Sequence, residues 1–216
     1  MSTPDYHARP RREMLRFVPA DAGSILDIGC GAGAFGAGLK ERRPEPEVWG
    51  IEAEPESARR AAGVLDRVIT GLAPAVLGDL EQRRFDCVIM NDVIEHVVEP
   101  RELLVAVRSH VAPGGCLVAS IPNIRHHATV ADLALRGRWD YTDEGILDRT
   151  HLRFFTRSSM VELLEGCGYH VTGVTGINRT GARSFRLFNL LTAGRFNDMG
   201  YLQFACMARP REETAP

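Results

Sequence analysis

Apolar positions in this chain come in short runs broken by glycine, proline and charge, and their spacing switches between the two regular periods. Residues 24–28, 47–51, 67–70, 85–90 and 116–121 have the character of strands, and 85–90 is apolar almost throughout, as a strand covered on both faces should be. Residues 34–43, 56–65 and 100–111 lie between them with helical character, and Pro55 and Pro100 stand where proline opens a helix. Strands alternating with helices predict an α/β fold built on a parallel sheet. After residue 123 the regular period is lost until Thr156, which has the chemistry of a helix N-cap for a segment running to about residue 165. Within that break a short helix is expected at about 128–136, with the remainder of 124–155 forming a cap over the sheet's crevice. Residues 169–177 and 201–208 supply two more strands, separated by an amphipathic helix over 184–192. Residues 4–18, with Met14, Leu15 and Phe17 among arginines, read as a leading amphipathic helix.

The densest signal is SILDIGCGAGAFG, residues 24–36. An apolar strand runs straight into glycines at 29, 31 and 33 and then into a helix, an order that lets a ligand approach the main chain. Asp27 interrupts the apolar strand, and a carboxylate there is costly to bury unless it has a task. By glycines alone the stretch is ambiguous. Gly31-x-Gly33-x-x-Gly36 satisfies a dinucleotide fingerprint, and Glu52 follows about 20 residues on, where a ribose-binding acid belongs. A nicotinamide-dependent oxidoreductase and a non-catalytic binding module therefore both stand as alternatives.

The joint pattern is more specific. Asp27-x-Gly29-x-Gly31-x-Gly33, then Val48-Trp49-Gly50-Ile51-Glu52, then the block from Phe85 to His96 together resemble the class I S-adenosylmethionine-dependent methyltransferases. The resemblance implies a doubly wound, seven-stranded Rossmann-like sheet with an antiparallel last strand, one domain over 1–209 with a cap insertion at 124–155, and a polar tail at 210–216. It also implies the cofactor. Asp27 and the backbone of Gly29 and Asn91 are expected to meet the methionine ammonium, with Cys30, Gly31 and Gly33 in the turn beside it. Glu52 is expected at the ribose diol, and Ala53, Leu72, Asp92 and Val93 complete the cofactor set around the adenine slot. Gly71 and Leu72 stand where the family often has a polar residue for the adenine edge, which leaves a backbone group or Asp79 for that contact. In the family a leading segment often folds over the cofactor, which makes Tyr6 and Arg9 lid candidates.

For a hydroxyl acceptor the reaction is helped by a base of near-neutral pKa, and histidine is the usual choice. His151 is the first candidate, with Asp148 or a backbone carbonyl to hold its ring; Glu95, His126 and His127 are the reserves. The Asp148–His151 block, with Phe154-Phe155-Thr156 behind it, resembles a subset of these enzymes found among polysaccharide- and sugar-modifying methyltransferases. The expected acceptor is therefore a small molecule, most specifically a sugar or nucleotide sugar, with another small metabolite as the alternative. His96 is expected to pin the turn after the fourth strand. No metal is expected, since adjacent histidines such as His126-His127 do not share a helix face.

Composition narrows the partners. A net charge of −2 with scattered arginines and a single lysine, Lys40, gives no basic patch for nucleic acid or an anionic membrane surface. Five cysteines without paired spacing point to buried free thiols and a reducing, cytoplasmic setting. No run is long and apolar enough to span a bilayer.

Overall fold

The computed structural model describes residues 10–42 and 46–211; the lid candidates Tyr6 and Arg9 lie outside them. Seven strands, β1 (Ser24–Ile28), β2 (Glu47–Glu52), β3 (Arg67–Thr70), β4 (Phe85–Asn91), β5 (Val111–Pro122), β6 (Tyr169–Arg179) and β7 (Tyr201–Pro210), form one sheet. Their order is β3-β2-β1-β4-β5-β7-β6. β1 to β5 pair in parallel, and β7 lies antiparallel between β5 and β6. The chain lays β1, β2 and β3 outward in one direction, then returns to the other side of β1 to place β4. That reversal opens a crevice at the carboxyl ends of β1 and β4, where a doubly wound sheet binds its ligands.

Side-chain alternation divides the core between the sheet's two faces. Leu26 and Ile28 of β1 join Val88 and Met90 of β4 under α3 (Pro100–Arg108) and α5 (Arg157–Gly166). Ile25, Cys87 and Ile89 face the other way, against Phe35 and Leu39 of α1 (Ala34–Arg42) and Leu65 beyond α2 (Pro55–Ala61). Each such fully buried aliphatic side chain contributes about 1.5–3 kcal/mol. All five cysteines are buried, and none is in a disulfide. No helix among the described residues is long and apolar enough to cross a membrane.

The departures from the expected elements have local causes. Residues 10–18 do not make a helix: Arg11 takes a positive φ of 41°, and only a single 3₁₀ turn, Leu15–Phe17, follows. α2 stops at Ala61 because Gly63 and Val64 tighten to three-residue hydrogen bonds, which turn Leu65 into the core. β5 begins early at Val111, and its pairing with β4 jumps from Phe85–Val111 to Cys87–Cys116, leaving Pro113-Gly114-Gly115 as a bulge. Thr156 caps α5 through a reciprocal capping box with Ser159. In the irregular stretch, α4 (His127–Arg136) has no buried residue. α6 (Arg183–Leu191) precedes β7 and buries only Phe185.

Candidate active site

One cleft of about 1110 Å³ lies at the carboxyl ends of β1, β2 and β4. Its floor is the turn after β1. The amides of Gly29 and Cys30 donate to the Ile51 carbonyl (2.8 and 3.1 Å), that of Gly31 donates to Glu52 Oε2 (2.8 Å), and that of Gly33 donates to the Cys30 carbonyl (2.9 Å). These donors are thus committed to β2 and to the turn itself, which argues against a diphosphate cradle and so against the dinucleotide alternative. The glycines serve the turn's shape. Gly29 has φ +74°, and a Cβ there would meet Val93 at 2.6 Å. Gly33, at φ +83°, backs onto Ala61 of α2 and does not line the cleft.

Glu52 closes β2 at 6% exposure, which rules out a surface acid. Its Oε1 accepts from the Glu54 amide (2.9 Å) while Oε2 holds Gly31, so the carboxylate is fixed at the cleft wall with lone pairs left over. Asp27 is 2% exposed and its Oδ2 has no hydrogen-bond partner. Burial, with the Glu52 charge added, pushes its pKa up to about 8. At the end of β4, neither polar atom of the Asn91 amide has a partner, although the residue lines the cleft. Ala53, Leu72 and Val93 line it too, whereas Asp79 is exposed and does not.

Asp92 also lines the cleft, with its carboxylate engaged by the protein itself. Its carboxylate pairs with Arg11 and accepts from Ser120 Oγ (3.0 Å) and Gln203 Nε2 (2.8 Å), while its backbone sits at φ +55°. Arg11 was not singled out in the sequence. It also reaches Ser120 Oγ, Gln203 Oε1 and Glu13, and residues 10–13 line the cleft.

The opposite wall comes from the irregular stretch, where Asp143, Gly145, Ile146, Asp148, Thr150 and His151 face the cleft; no residue of α4 does. His151 is 6% exposed, and its Nδ1 lies 3.0 Å from the Ile146 carbonyl. Asp148 is not its orienting partner. The Asp148 Oδ1 accepts from the Thr150 amide (2.8 Å) and hydroxyl (2.6 Å), so this carboxylate shapes the loop that carries His151. His96 does pin its turn, with Nδ1 at 3.2 Å from both the carbonyl and the hydroxyl oxygen of Thr150. The His96 and His151 rings meet edge to face at 4.7 Å. Beside them Glu95 is 1% exposed with both carboxylate oxygens unpartnered. Burial pushes its pKa up to about 8, opposed by its own main-chain amide and by Arg11, with Asp148 adding to the rise. His126 and His127 stand elsewhere: they do not line the cleft, and His127 stacks on Phe185.

The sequence matches the methyltransferase-domain family over residues 5–174. The chain belongs to that family. It is 32% identical over 139 residues to a trans-aconitate 2-methyltransferase of Methylobacterium radiotolerans, covering 62% of this chain and 53% of that protein. It is 29% identical over 167 residues to a ubiquinone biosynthesis O-methyltransferase of Cereibacter sphaeroides, covering 73% of this chain and 64% of the relative. The chain thus spans about half to two thirds of the length of the curated relatives it matches. In fold it resembles a SAM-dependent methyltransferase from Archaeoglobus fulgidus, with a TM-score of 0.64 over 95% of this chain and 94% of that one at 18% identity. The cofactor that the family implies is S-adenosylmethionine. The cleft suits it: an orphaned Asp27 oxygen and an orphaned Asn91 amide offer partners to an ammonium and a carboxylate, and Glu52 offers a fixed acceptor to a diol.

Proposed function

We propose that this methyltransferase-family protein transfers a methyl group from S-adenosylmethionine to an oxygen of a small metabolite. The observation that carries the reading is that one cleft joins two chemically different walls. Asp27, Glu52 and Asn91 make a cofactor side, and Glu95, His96 and His151 make an acceptor side.

When bound, the cofactor supplies an electrophilic methyl on a sulfonium whose positive charge disappears as the methyl leaves. The residues do the rest by position. Asp27 and Asn91 would hold the amino-acid end and Glu52 the ribose, fixing the line of attack, which is where most of the rate in such a displacement arises. His151 donates its Nδ1 proton to the Ile146 carbonyl, which places the Nε2 lone pair opposite, ready to take the proton of an acceptor hydroxyl. Arg11 and its pairing with Asp92 would exclude water from the mouth of the cleft.

The relatives named above carry no sugar in their names, so the acceptor reading extends to small-metabolite oxygen in general, with a sugar hydroxyl as one member of the class. Incubation with S-adenosylmethionine and a panel of small carboxylic acids, phenols and nucleotide sugars, read by mass spectrometry, tests it. A product heavier by one methylene supports the reading. S-Adenosylhomocysteine binding without any methylated product across the panel supports a non-catalytic binding module instead.

A further inference from the structure

We infer that Glu95, His96 and His151 together form a binding site for one divalent metal cation at the acceptor end of the cleft. This deepens the methyl-transfer reading and rests on it for its purpose, although not for its geometry.

Each of the three residues offers one ligand atom, and these atoms all lie within 4.8 Å of one another. Ligands about 2.1 Å from a cation stand roughly 3–4 Å apart, so side-chain rotations of less than about an ångström would close the set. The two histidines are presented in the same way. His151 Nδ1 is held by the Ile146 carbonyl and His96 Nδ1 by the Thr150 carbonyl and hydroxyl, and in both the tautomer that donates from Nδ1 puts the lone pair on Nε2. A carbonyl behind one ring nitrogen is how ligating histidines are oriented and made more basic. The third member carries the strongest argument. Glu95 is 1% exposed, and neither of its oxygens has a hydrogen-bond partner. Arg11, the cation that acts on it from the neighbouring segment, is already committed to Asp92, Ser120, Gln203 and Glu13. A buried carboxyl group whose lone pairs are unused, beside two oriented imidazoles, is a ligand set that a cation between them would complete.

The frame is built to hold all three. The Glu95 carbonyl accepts from the amides of Leu152 (2.8 Å) and Arg153 (3.0 Å), which joins the His151 segment to the Glu95–His96 turn at the main chain. All three residues line the cleft, so three protein ligands on one side would leave the remaining coordination positions toward the acceptor, as in catalytic rather than structural metal sites. Two imidazoles with one carboxylate suit a first-row cation such as Mn²⁺ or Zn²⁺ better than Mg²⁺, which prefers oxygen and water. A cation there would bind the acceptor's oxygen and make its proton easier to release to water. His151 would then be a ligand and not the proton acceptor.

The test is titration of the chelator-treated full chain with Mn²⁺, followed by the loss of the free-ion paramagnetic resonance signal, with and without S-adenosylhomocysteine. The expected result is one equivalent bound per chain, weakened at least about tenfold in Glu95→Gln and in His96→Ala and unchanged in Asp132→Asn on α4. S-Adenosylhomocysteine affinity, measured by calorimetry in every variant, reports that the fold and the cofactor side stand. No Mn²⁺ binding up to several millimolar by a wild-type chain that still binds S-adenosylhomocysteine overturns the site, as does binding indifferent to both Glu95→Gln and His96→Ala; the three residues are then a hydrogen-bonded packing cluster. Mn²⁺ bound by a wild-type chain that ignores S-adenosylhomocysteine would instead uphold the metal site and remove the methyl-transfer reading.

Discussion

Arg11 and Asp92 form an ion pair in which neither side chain is more than 16% exposed. The pair joins the segment before β1 to the end of β4; both partners also bond to Ser120 on β5 and Gln203 on β7, and Arg11 holds Glu13 as well. Arg11→Ala leaves the Asp92 carboxylate partly buried without its cation and is expected to lower stability by about 1–3 kcal/mol. Arg11→Lys should recover only part of that, because an ammonium cannot span the same set of acceptors. Thermal unfolding of the three proteins decides it; equal midpoints would show that the pair contributes nothing.

Glu52 is held by the amides of Gly31 and Glu54, so its carboxylate is in place before any ligand arrives. Glu52→Gln keeps the size and removes the charge. The expected loss is about 1.5–3 kcal/mol of S-adenosylhomocysteine affinity, tenfold or more, by calorimetry. An unchanged dissociation constant would take Glu52 out of the cofactor wall.

Asp27, with its pKa raised to about 8 in the folded protein, should make the ligand-free protein less stable as pH rises. Between its unfolded value near 4 and its folded value near 8, the native state holds a proton that the unfolded chain has lost. The Asp27 contribution to stability is therefore fully present below about pH 4, falls through that window and is level above it. In Asp27→Asn the slope should be shallower, measured by urea unfolding at a series of pH values. A variant with the same slope as the wild type would show that Asp27 titrates normally.

His151→Ala should lower turnover by about 10²–10⁴-fold while S-adenosylhomocysteine binding changes little, whether the ring serves as base or as ligand. Asp148→Asn should have a smaller effect on turnover, because its carboxylate holds the Thr150 turn and does not touch the imidazole. Steady-state assays on an accepted substrate compare them. Equal losses in the two variants would mean that loop shape, and not the imidazole, is what the reaction needs.

The half of this cleft proposed for the cofactor is legible in the sequence because its signals are local. Strand, glycine turn and helix follow one another within residues 24–42, and Glu52 ends the next strand. The acceptor half is not, because its members come from separate segments. Glu95 and His96 are neighbours in the chain, but His151 joins them only through the amides of Leu152 and Arg153. Adjacent His126-His127 is the more conspicuous pair in the sequence, yet neither lines the cleft, and His127 stacks on Phe185. The Asp148–His151 spacing suggests a pair, but a turn closes between them and directs the carboxylate to Thr150. Arg11 is one arginine among many near the start of the chain, and only the fold brings Asp92 to meet it.

The main-chain joint at Glu95 also bears on how such a protein can diverge. Asp143, Gly145 and Ile146 line the cleft on the side proposed for the acceptor, but lie outside the sheet, the glycine turn and the joint itself. A lineage could exchange those residues, and with them its taste in acceptors, while inheriting the methyl-donor machinery unaltered. What it could not discard is the pair of amides that bring His151 back to Glu95. On the proposed reading, acceptor preference would be an exchangeable trait grafted onto a fixed point of attachment.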